Sequence, residues 1–443
     1  MRDTQAEPSR AYRAWILIVL ICVYTFNFID RQIVGVLAIP IKTELKLDDA
    51  QLGLMGGVAF ASFYTLLGIP IAALADRFSK TWVMTIALAL WSGFTAACGL
   101  AGSFVQLFLC RMGVGVGEAG GVAPAYALIS EYFPAGQRSR ALAIYSFGIP
   151  IGSALGVLFG GQLAARFDWR TAFEIVGLSG LILVPVLRLS VRDRKRDPQR
   201  PRPRVSLGAT LATLLPKPSF WFISLGAACS SIVGYGLIFW LPSFFKRSYH
   251  MSLQDISLYY GAILLIGGTI GVWCGGALGD RFGQRSRAAY LVTPALAFLA
   301  AIPCYWAALS VHSTALAFVL FLAPQALALA WLGPVLAAVQ QLAPAGQRTL
   351  ASAAFLFINN LVGIGFGTWF FGYVSKALAP HWGEESLRWS ILLGVSFYAL
   401  AAALLLIGAM TLRRDWVDDA LNPPAPLPPL LALTLRRDWV DDA

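Results

Sequence analysis

Four ionisable residues lie inside long apolar segments of the chain. Asp30 and Arg31 are adjacent in one segment, and Arg111 and Glu118 are seven residues apart in another. A charged side chain at the centre of a bilayer costs roughly 2.5–3.5 kcal/mol on insertion scales, so each of the four requires a partner, a cavity or a function. A carboxylate that takes up a proton loses its attraction for a guanidinium group. These residue types therefore indicate proton coupling, by Asp30 and Glu118.

Helical spacing brings the four side chains to a common depth. Residues seven apart lie about two turns apart on one helix face, so Arg111 and Glu118 can both face the first segment. We expect Arg31 to pair with Glu118 in one state, while Asp30 exchanges between Arg111 and a proton. The alternative is a permanent salt-bridge cluster that holds the two helices together. Asn27 stands one turn away and joins the predicted binding residues.

The composition is that of a membrane protein rather than a soluble one. Of 443 residues, 58% are hydrophobic and 13% are charged, against roughly 25% charged residues in soluble domains. The mean hydropathy is +0.68. Spanning a bilayer takes about 20 apolar residues in a helix, and such runs recur along the chain. They predict twelve transmembrane helices near 14–40, 51–75, 81–101, 104–132, 139–165, 169–189, 217–245, 254–279, 287–309, 314–342, 348–377 and 386–411.

The net charge of +11 is explained by topology rather than by nucleic acid. Lys and Arg cluster in alternate short connections and in the central linker, which the positive-inside rule places in the cytoplasm. We therefore expect a multi-pass protein of the bacterial inner membrane with both termini cytoplasmic. The basic residues concerned are Arg77, Lys80, Arg138, Arg140, Arg192, Arg194, Lys195, Arg196, Arg200, Arg202, Arg204, Arg281, Arg285, Arg287 and Arg348.

Internal repetition divides the chain into two halves. ALADRFSK at 73–80 recurs as ALGDRFGQR at 277–285, and FPAGQR at 133–138 recurs as APAGQR at 343–348. Parallel repeats of this kind are a known transporter architecture. The fold class predicted is an all-α membrane protein of two pseudo-symmetric six-helix bundles. Its parts are an N-terminal bundle (1–189), a basic linker (190–216), a C-terminal bundle (217–412) and a tail (413–443) in which TLRRDWVDDA is duplicated.

These motifs resemble those of the major facilitator superfamily. The two DR pairs, Asp76–Arg77 and Asp280–Arg281, are similar to its loop signature, and GIPIGSALG at 148–156 resembles its motif on helix five. Arg111 stands where the family has an arginine on helix four. Ala72 departs from the glycine with which the loop motif usually begins. We expect the DR pairs to act in gating, because charge pairs that close the cytoplasmic side must break when that side opens. Ordinary loop capping is the alternative role.

Two further segments resemble the spinster group within that superfamily. They are FNFIDRQIVGVL at 26–37 and RMGVGVGEAGGVAPA at 111–125. The resemblance implies lysophospholipids or sphingoid phosphates as substrates, moved with or against protons. Other bacterial members with these motifs handle small organic anions, so a sugar acid or similar anion is the alternative substrate.

The second half is poor in charge and rich in aromatic residues, which suits an amphipathic ligand whose headgroup meets Arg31. Core packing is the alternative for any single aromatic side chain. The predicted substrate-binding residues are Arg31, Asn27, Arg111, Tyr235, Asn359 and Asn360, with Trp240, Trp331, Phe355 and Phe366 as further candidates for the apolar wall.

The sequence also argues against several classes of protein. The glycines at 115, 117 and 120 match GxGxxG but follow no strand, and no GxxxxGK[ST] loop is present. The six cysteines form no metal-binding pattern and are interpreted as packing residues. No nucleophile, base and orienting residue can be combined into a catalytic site. We expect a monomeric transporter, not an enzyme, with no cofactor, no metal and no nucleic acid partner.

Overall fold

The computed structural model describes residues 9–193, 206–283 and 285–417, and the described residues form helices without strands. A π-helix, Leu54–Val58, joins α2 to α3. The helices of the first half are α1 (Arg10–Leu45), α2 (Asp49–Gly53), α3 (Ala59–Arg77), α4 (Lys80–Gly99), α5 (Phe104–Glu118), α6 (Val122–Tyr132), α7 (Ala135–Ser146), α8 (Gly148–Arg166) and α9 (Trp169–Ser190).

A short helix precedes the second half, and another π-helix, Leu361–Phe366, joins α16 to α17. The helices are α10 (Leu207–Leu214), α11 (Pro218–Tyr249), α12 (Leu253–Gly283), α13 (Ala289–Ser310), α14 (Thr314–Leu329), α15 (Leu332–Gln340), α16 (Arg348–Asn360), α17 (Gly367–Trp382), α18 (Ser386–Val395) and α19 (Phe397–Asp415).

The helices confirm the predicted fold class. Eleven segments of the described chain are long and apolar enough to span a membrane, and the last of them, Arg348–Asp415, is 68 residues long. It contains two crossings, because the backbone turns at Gly383 with a φ of 52°. Twelve crossings result. The two faces are named here the terminal face, which carries Arg10 and Asp415, and the distal face opposite.

Side-chain caps fix where several helices begin. The Ser9 hydroxyl accepts a hydrogen bond from the Tyr12 N–H at the start of α1, and Ser103 caps α5 in the same way. Asp48 and Gln51 form a reciprocal capping box at the start of α2. Such caps satisfy amide groups that the first helical turn leaves without partners. They fix the residue at which each of these helices begins.

Glycine brings α8 against α1, the helix that carries Asp30 and Arg31. A Cβ atom built on Gly152 would lie 2.4 Å from the backbone oxygen of Thr25. Small residues at such positions let helix backbones approach closely in a membrane. α8 therefore packs closely against α1 at Gly152.

The two halves meet mainly through the distal parts of their helices. The π-helix of the first half packs against that of the second: a Cβ atom on Gly57 would lie 2.4 Å from Thr368 Oγ1 and 2.7 Å from the backbone oxygen of Ile364. Nearer the distal face, Gln162 on α8 donates hydrogen bonds to Gln254 and Ser257 of α12. The structure is therefore closed on the distal side.

The predicted linker and tail are described only in part. Residues 194–205 and 418–443, with most of the linker's basic residues and the second TLRRDWVDDA copy, lie outside the described ranges. α19 continues to Asp415, whose carboxylate accepts a 3.0 Å hydrogen bond from the Ser219 N–H. Lys217 donates to the Asp415 backbone oxygen at 2.8 Å, and burial lowers the pKa of this lysine. The first residues of the predicted tail are thus tied to the second half.

Candidate substrate site

Arg31 is the most closely surrounded cation of the site. Its Nε donates a 2.7 Å hydrogen bond to Glu118 Oε2, and the two side chains are 10% and 0% exposed. The guanidinium carbon lies 5.1 Å from the ring centre of Phe28, 5.0 Å from that of Phe60 and 4.5 Å from that of Tyr64. Cation–π contact of this kind stabilises a desolvated guanidinium. The predicted Arg31–Glu118 ion pair is therefore present, with an aromatic lining.

Glu118 lies at a break in the fourth crossing. α5 ends at Glu118, and α6 begins at Val122 after a turn that contains Gly120 and Gly121. Broken transmembrane helices expose backbone groups, and such breaks occur where they line a cavity or are covered by protein. Glu118 Oε1 and Arg31 Nη2 are both buried without a hydrogen-bond partner among the described residues. The ion pair thus retains unused capacity for hydrogen bonds.

Asp30 and Arg111 are adjacent but do not form the predicted side-chain pair in this state. They are 1% and 2% exposed. Arg111 Nη1 donates a long 3.5 Å hydrogen bond to the backbone oxygen of Asp30, and its guanidinium also lies over Phe60. Within the described chain Asp30 Oδ1 has no partner, nor has either polar atom of the Asn27 side chain. The proposed exchange of Asp30 between Arg111 and a proton stays a prediction.

The second half contributes less charge and more ring surface, as expected. A narrow cavity of about 40 Å³ lies between the halves. Tyr235 and Phe239 line it from the second half, opposite Arg31, Arg111 and Phe60. Tyr235 lines the cavity, and its predicted role in substrate binding stays a prediction.

The two predicted asparagines, at the end of α16, belong to a hydrogen-bonded group with Ser231 of α11. Ser231 donates a 2.8 Å hydrogen bond to Asn359 Oδ1, and Asn359 Nδ2 donates at 3.4 Å to Asn360 Oδ1. Trp240 is fully buried and donates to the Thr368 backbone oxygen. For Trp240, core packing is therefore the role that the structure supports.

The predicted gating residues lie at the terminal face. Arg77 and Arg281 are exposed near the ends of α3 and α12. The side chains of Asp76 and Asp280 lie outside the described part of the structure. A gating role for the two DR pairs stays a prediction.

A second charged cluster closes the distal face, and the sequence did not indicate it. The Asp49 carboxylate accepts hydrogen bonds from Arg247 at 2.7 and 2.8 Å, from Lys42 at 2.7 Å and from Ser375 at 2.8 Å. Lys42 and Asp49 belong to the first half, and Arg247 and Ser375 to the second. These four residues are named the distal lock.

Beside the distal lock, Lys376 donates a 2.9 Å hydrogen bond to Asp48. Partial burial acts to raise the pKa of Asp48, but this bond and the Gln51 backbone N–H outweigh it and hold that pKa below its usual value. A larger open groove lies between α12 and α14 and is lined by Leu258, Tyr259 and Phe318.

The comparison with known families decides the class of protein. The family model described as Major Facilitator Superfamily matches residues 20–368. The chain belongs to the major facilitator superfamily. It is therefore a transporter, not an enzyme, and Arg31 and Glu118 lie in the interface between its two halves.

The similar proteins include a bacterial efflux pump and animal spinster homologs. A protein of Mycolicibacterium smegmatis named "MFS-type efflux pump" is 36% identical over 424 residues, which cover 94% of this chain and 97% of that protein. The human "Protein spinster homolog 1" is 28% identical over 449 residues, which cover 94% of this chain and 83% of that protein.

Solved structures agree with the family. The crystal structure of a bacterial homolog of the human lysosomal transporter Spinster, described as inward-facing and unoccupied, superposes with a TM-score of 0.84 at 32% identity, covering 93% of this chain and all of that one. A D-xylose-proton symporter has a TM-score of 0.65 at 17% identity and 92% coverage of this chain, and shows the shared fold alone.

Proposed function

We propose that this transporter moves an amphipathic lipid anion, such as a lysophospholipid or a sphingoid phosphate, by proton-coupled alternating access. The observation that carries the proposal is the ion pair of Arg31 and Glu118 at the interface between the halves. A guanidinium group with an unused N–H beside a cavity can bind a phosphate. The bound phosphate would compete with Glu118 for Arg31.

Proton coupling is assigned to the two buried carboxylates. Asp30 has an oxygen without a partner beside the Arg111 guanidinium, so a proton there changes the local charge without first breaking a side-chain hydrogen bond. Protonation of Glu118 would release Arg31 for the substrate. Charge changes of this kind alter the relative stability of two packed states.

We assign the terminal face to the cytoplasm of a bacterial cell and the distal face to the outside. The basic residues that the structure describes at the terminal helix ends, among them Arg77, Arg140 and Arg281, support this orientation. With the distal lock closed, the described state is then inward-facing. One proton that crosses 100 mV supplies about 2.3 kcal/mol for the cycle.

The alternative substrate is a small organic anion, such as a sugar acid, and one observation favours it. The cavity beside Arg31 is narrow, about 40 Å³, and a lysolipid would enter only after the halves separate further. An anion without an acyl chain needs less rearrangement.

The experiment is a flux assay in liposomes. A labelled lysophospholipid is followed across the bilayer with and without a pH gradient, for the native chain and for Asp30→Asn. Flux that rises with the gradient, and loses that dependence in Asp30→Asn, supports the proposal. If only small organic anions move, the lipid assignment is wrong; if Asp30→Asn retains the gradient dependence and merely expresses less, Asp30 is part of a structural cluster.

A further inference from the structure

A run of aromatic side chains leads from Arg31 towards the terminal face along the wall of the first half. Tyr24 and Tyr145 stack with ring centres 4.4 Å apart and planes 9° apart. Tyr126 meets Tyr145 edge to face at 5.6 Å. Tyr24, on α1, lies two turns before Arg31, about 10 Å at 1.5 Å per residue. The three residues Tyr24, Tyr126 and Tyr145 are named the tyrosine wall.

The hydroxyl groups of the tyrosine wall are available for hydrogen bonds to a ligand. Among the residues that the structure describes, the hydroxyl groups of Tyr24 and Tyr145 do not belong to the buried polar atoms that lack a partner. Tyr24 and Tyr145 are only 8% and 2% exposed, while Tyr126 is 37% exposed. The rings of Tyr24 and Tyr145 are packed while their hydroxyl groups keep contact with solvent, and a hydroxyl group that binds water can exchange that water for a polar group of a ligand. Packing alone therefore does not explain why these residues are tyrosines.

Asn27 extends the same surface towards Arg31. It lies on α1 between Tyr24 and Arg31, at the helical spacing that puts the three residues on one face. Asn27 is 2% exposed, and both polar atoms of its side chain lack a partner among the described residues. Phenols and an amide are neutral groups that both donate and accept hydrogen bonds. Such groups are better partners for the hydroxyl groups of a ligand than for a second charged group on it.

We propose that Asn27 and the tyrosine wall form a second subsite, which binds a neutral polyol moiety attached to the anion that Arg31 holds. The inference rests on the proposed function and deepens it. The substrate is an anion that carries a glycerol-like or sugar-like group within about 10 Å of its charge, the distance along α1 from Arg31 to Tyr24. A lysolipid with a glycerol headgroup and a free sugar acid or polyol phosphate share this chemistry.

The test compares two lysolipids that differ only in the polyol. Oleoyl lysophosphatidylglycerol carries a headgroup glycerol that oleoyl lysophosphatidic acid lacks. Dissociation constants are measured in detergent micelles for the native chain, for Tyr24→Phe, Tyr145→Phe and the double variant, and for Asn27→Ala. Tyr260→Phe is the control, because Tyr260 is also buried but lies on α12 of the second half. Glycerol phosphate serves as the probe without an acyl chain.

We expect the native chain to prefer the glycerol headgroup about tenfold, because one or two hydrogen bonds of ordinary strength supply a factor of that size. The double variant Tyr24→Phe, Tyr145→Phe should lose this preference and keep the native affinity for lysophosphatidic acid. The control variant Tyr260→Phe should keep the native preference. Equal affinities in the native chain, or a preference that survives both substitutions, would overturn the subsite. Equal weakening of both lysolipids would also overturn it, since that outcome indicates a structural role.

The same assay separates this inference from the proposed function. If neither lysolipid binds but glycerol phosphate binds, and loses affinity in the double phenylalanine variant, the polyol subsite stands and the lipid assignment fails. If lysophosphatidic acid binds through Arg31 as tightly as lysophosphatidylglycerol, the lipid assignment stands and the subsite fails.

Discussion

Arg247 on α11 holds the carboxylate of Asp49 on α2 with two hydrogen bonds of 2.7 and 2.8 Å, across the interface between the halves. Asp49 is 6% exposed and Arg247 13%. When one partner of a buried pair is removed, the other charge is left without compensation, which costs about 3–5 kcal/mol when burial is complete. This contact is the main electrostatic link that would have to break for the distal face to open.

Asp49→Asn is therefore expected to shift the population towards the state that is open on the distal side. Because Arg247 retains some access to solvent, we expect a shift of about tenfold, or about 1.4 kcal/mol. The measurement is thiol labelling from the distal side of Ile238→Cys, a cavity-lining position, in a background without the six native cysteines. Labelling should be faster in the variant.

Asp48→Asn is the matched control for that experiment. Asp48 pairs with Lys376, and these side chains are 37% and 56% exposed, so the ion pair contributes about 0–1 kcal/mol. Labelling in this variant should stay close to the native rate. Equal rates in both variants would show that the distal lock does not control opening.

Arg31→Lys is expected to impair transport although it conserves the charge. An ammonium group can still pair with Glu118, but it lacks the planar surface that lies against Phe28, Phe60 and Tyr64. Loss of this contact should lower substrate affinity about tenfold, measured by equilibrium binding, with little change in the melting temperature.

A matched control is available on α9. Arg170 also lies over a ring, that of Trp169 at 4.2 Å, and pairs with Glu44 at 2.7 Å. Arg170 belongs to the distal surface, outside the cavity. Arg170→Lys should leave substrate affinity unchanged, and a comparable loss in both variants would argue against a specific role for Arg31.

The sequence predicted the Arg31–Glu118 pair but not the distal lock, for a physical reason. Rise per residue gives the depth of a charge within a membrane helix, and two opposite charges at one depth in an apolar medium are driven together. Asp49 and Arg247 are 198 residues apart at helix ends, where water can solvate either charge. Nothing in their local sequence required them to meet.

The tyrosine wall was missed for a related reason. Hydropathy gives the depth of Tyr24 and Tyr145 but not the face of the helix on which each lies, and an aromatic residue in an apolar segment is most often part of the core. Only the packing of α1 against α7 brings the rings of Tyr24 and Tyr145 together. The twelve crossings, by contrast, followed from the length of the apolar runs, because the bilayer sets that length.

Asp30→Asn and Asp49→Asn should differ in their effects on stability. Asp30 makes no side-chain hydrogen bond that asparagine would lose at Oδ1, and the substitution removes a buried charge, so the melting temperature in detergent should stay unchanged or rise. Asp49→Asn weakens the contacts with Arg247 and Lys42, so this variant should have a lower melting temperature than the native chain. A large decrease for Asp30→Asn would indicate that Asp30 belongs to a permanent structural cluster.

Gly152→Ala should destabilise the contact between α8 and α1. The added methyl group would lie 2.4 Å from the Thr25 backbone oxygen and 2.7 Å from Phe28 Cβ, so the helices must separate. Overpacking of this kind costs about 1–3 kcal/mol. Gly93→Ala on α4 is the matched control, because no atom lies within 4 Å of its added methyl group and alanine stabilises a helix interior by about 0.5–1 kcal/mol. Thermal unfolding in detergent should therefore show opposite shifts for the two variants.

Since Thr25 and Phe28 lie on the helix that carries Arg31, Gly152→Ala should also weaken substrate binding, whereas Gly93→Ala should not. Two variants with equal melting temperatures would mean that α8 can shift along α1 without loss.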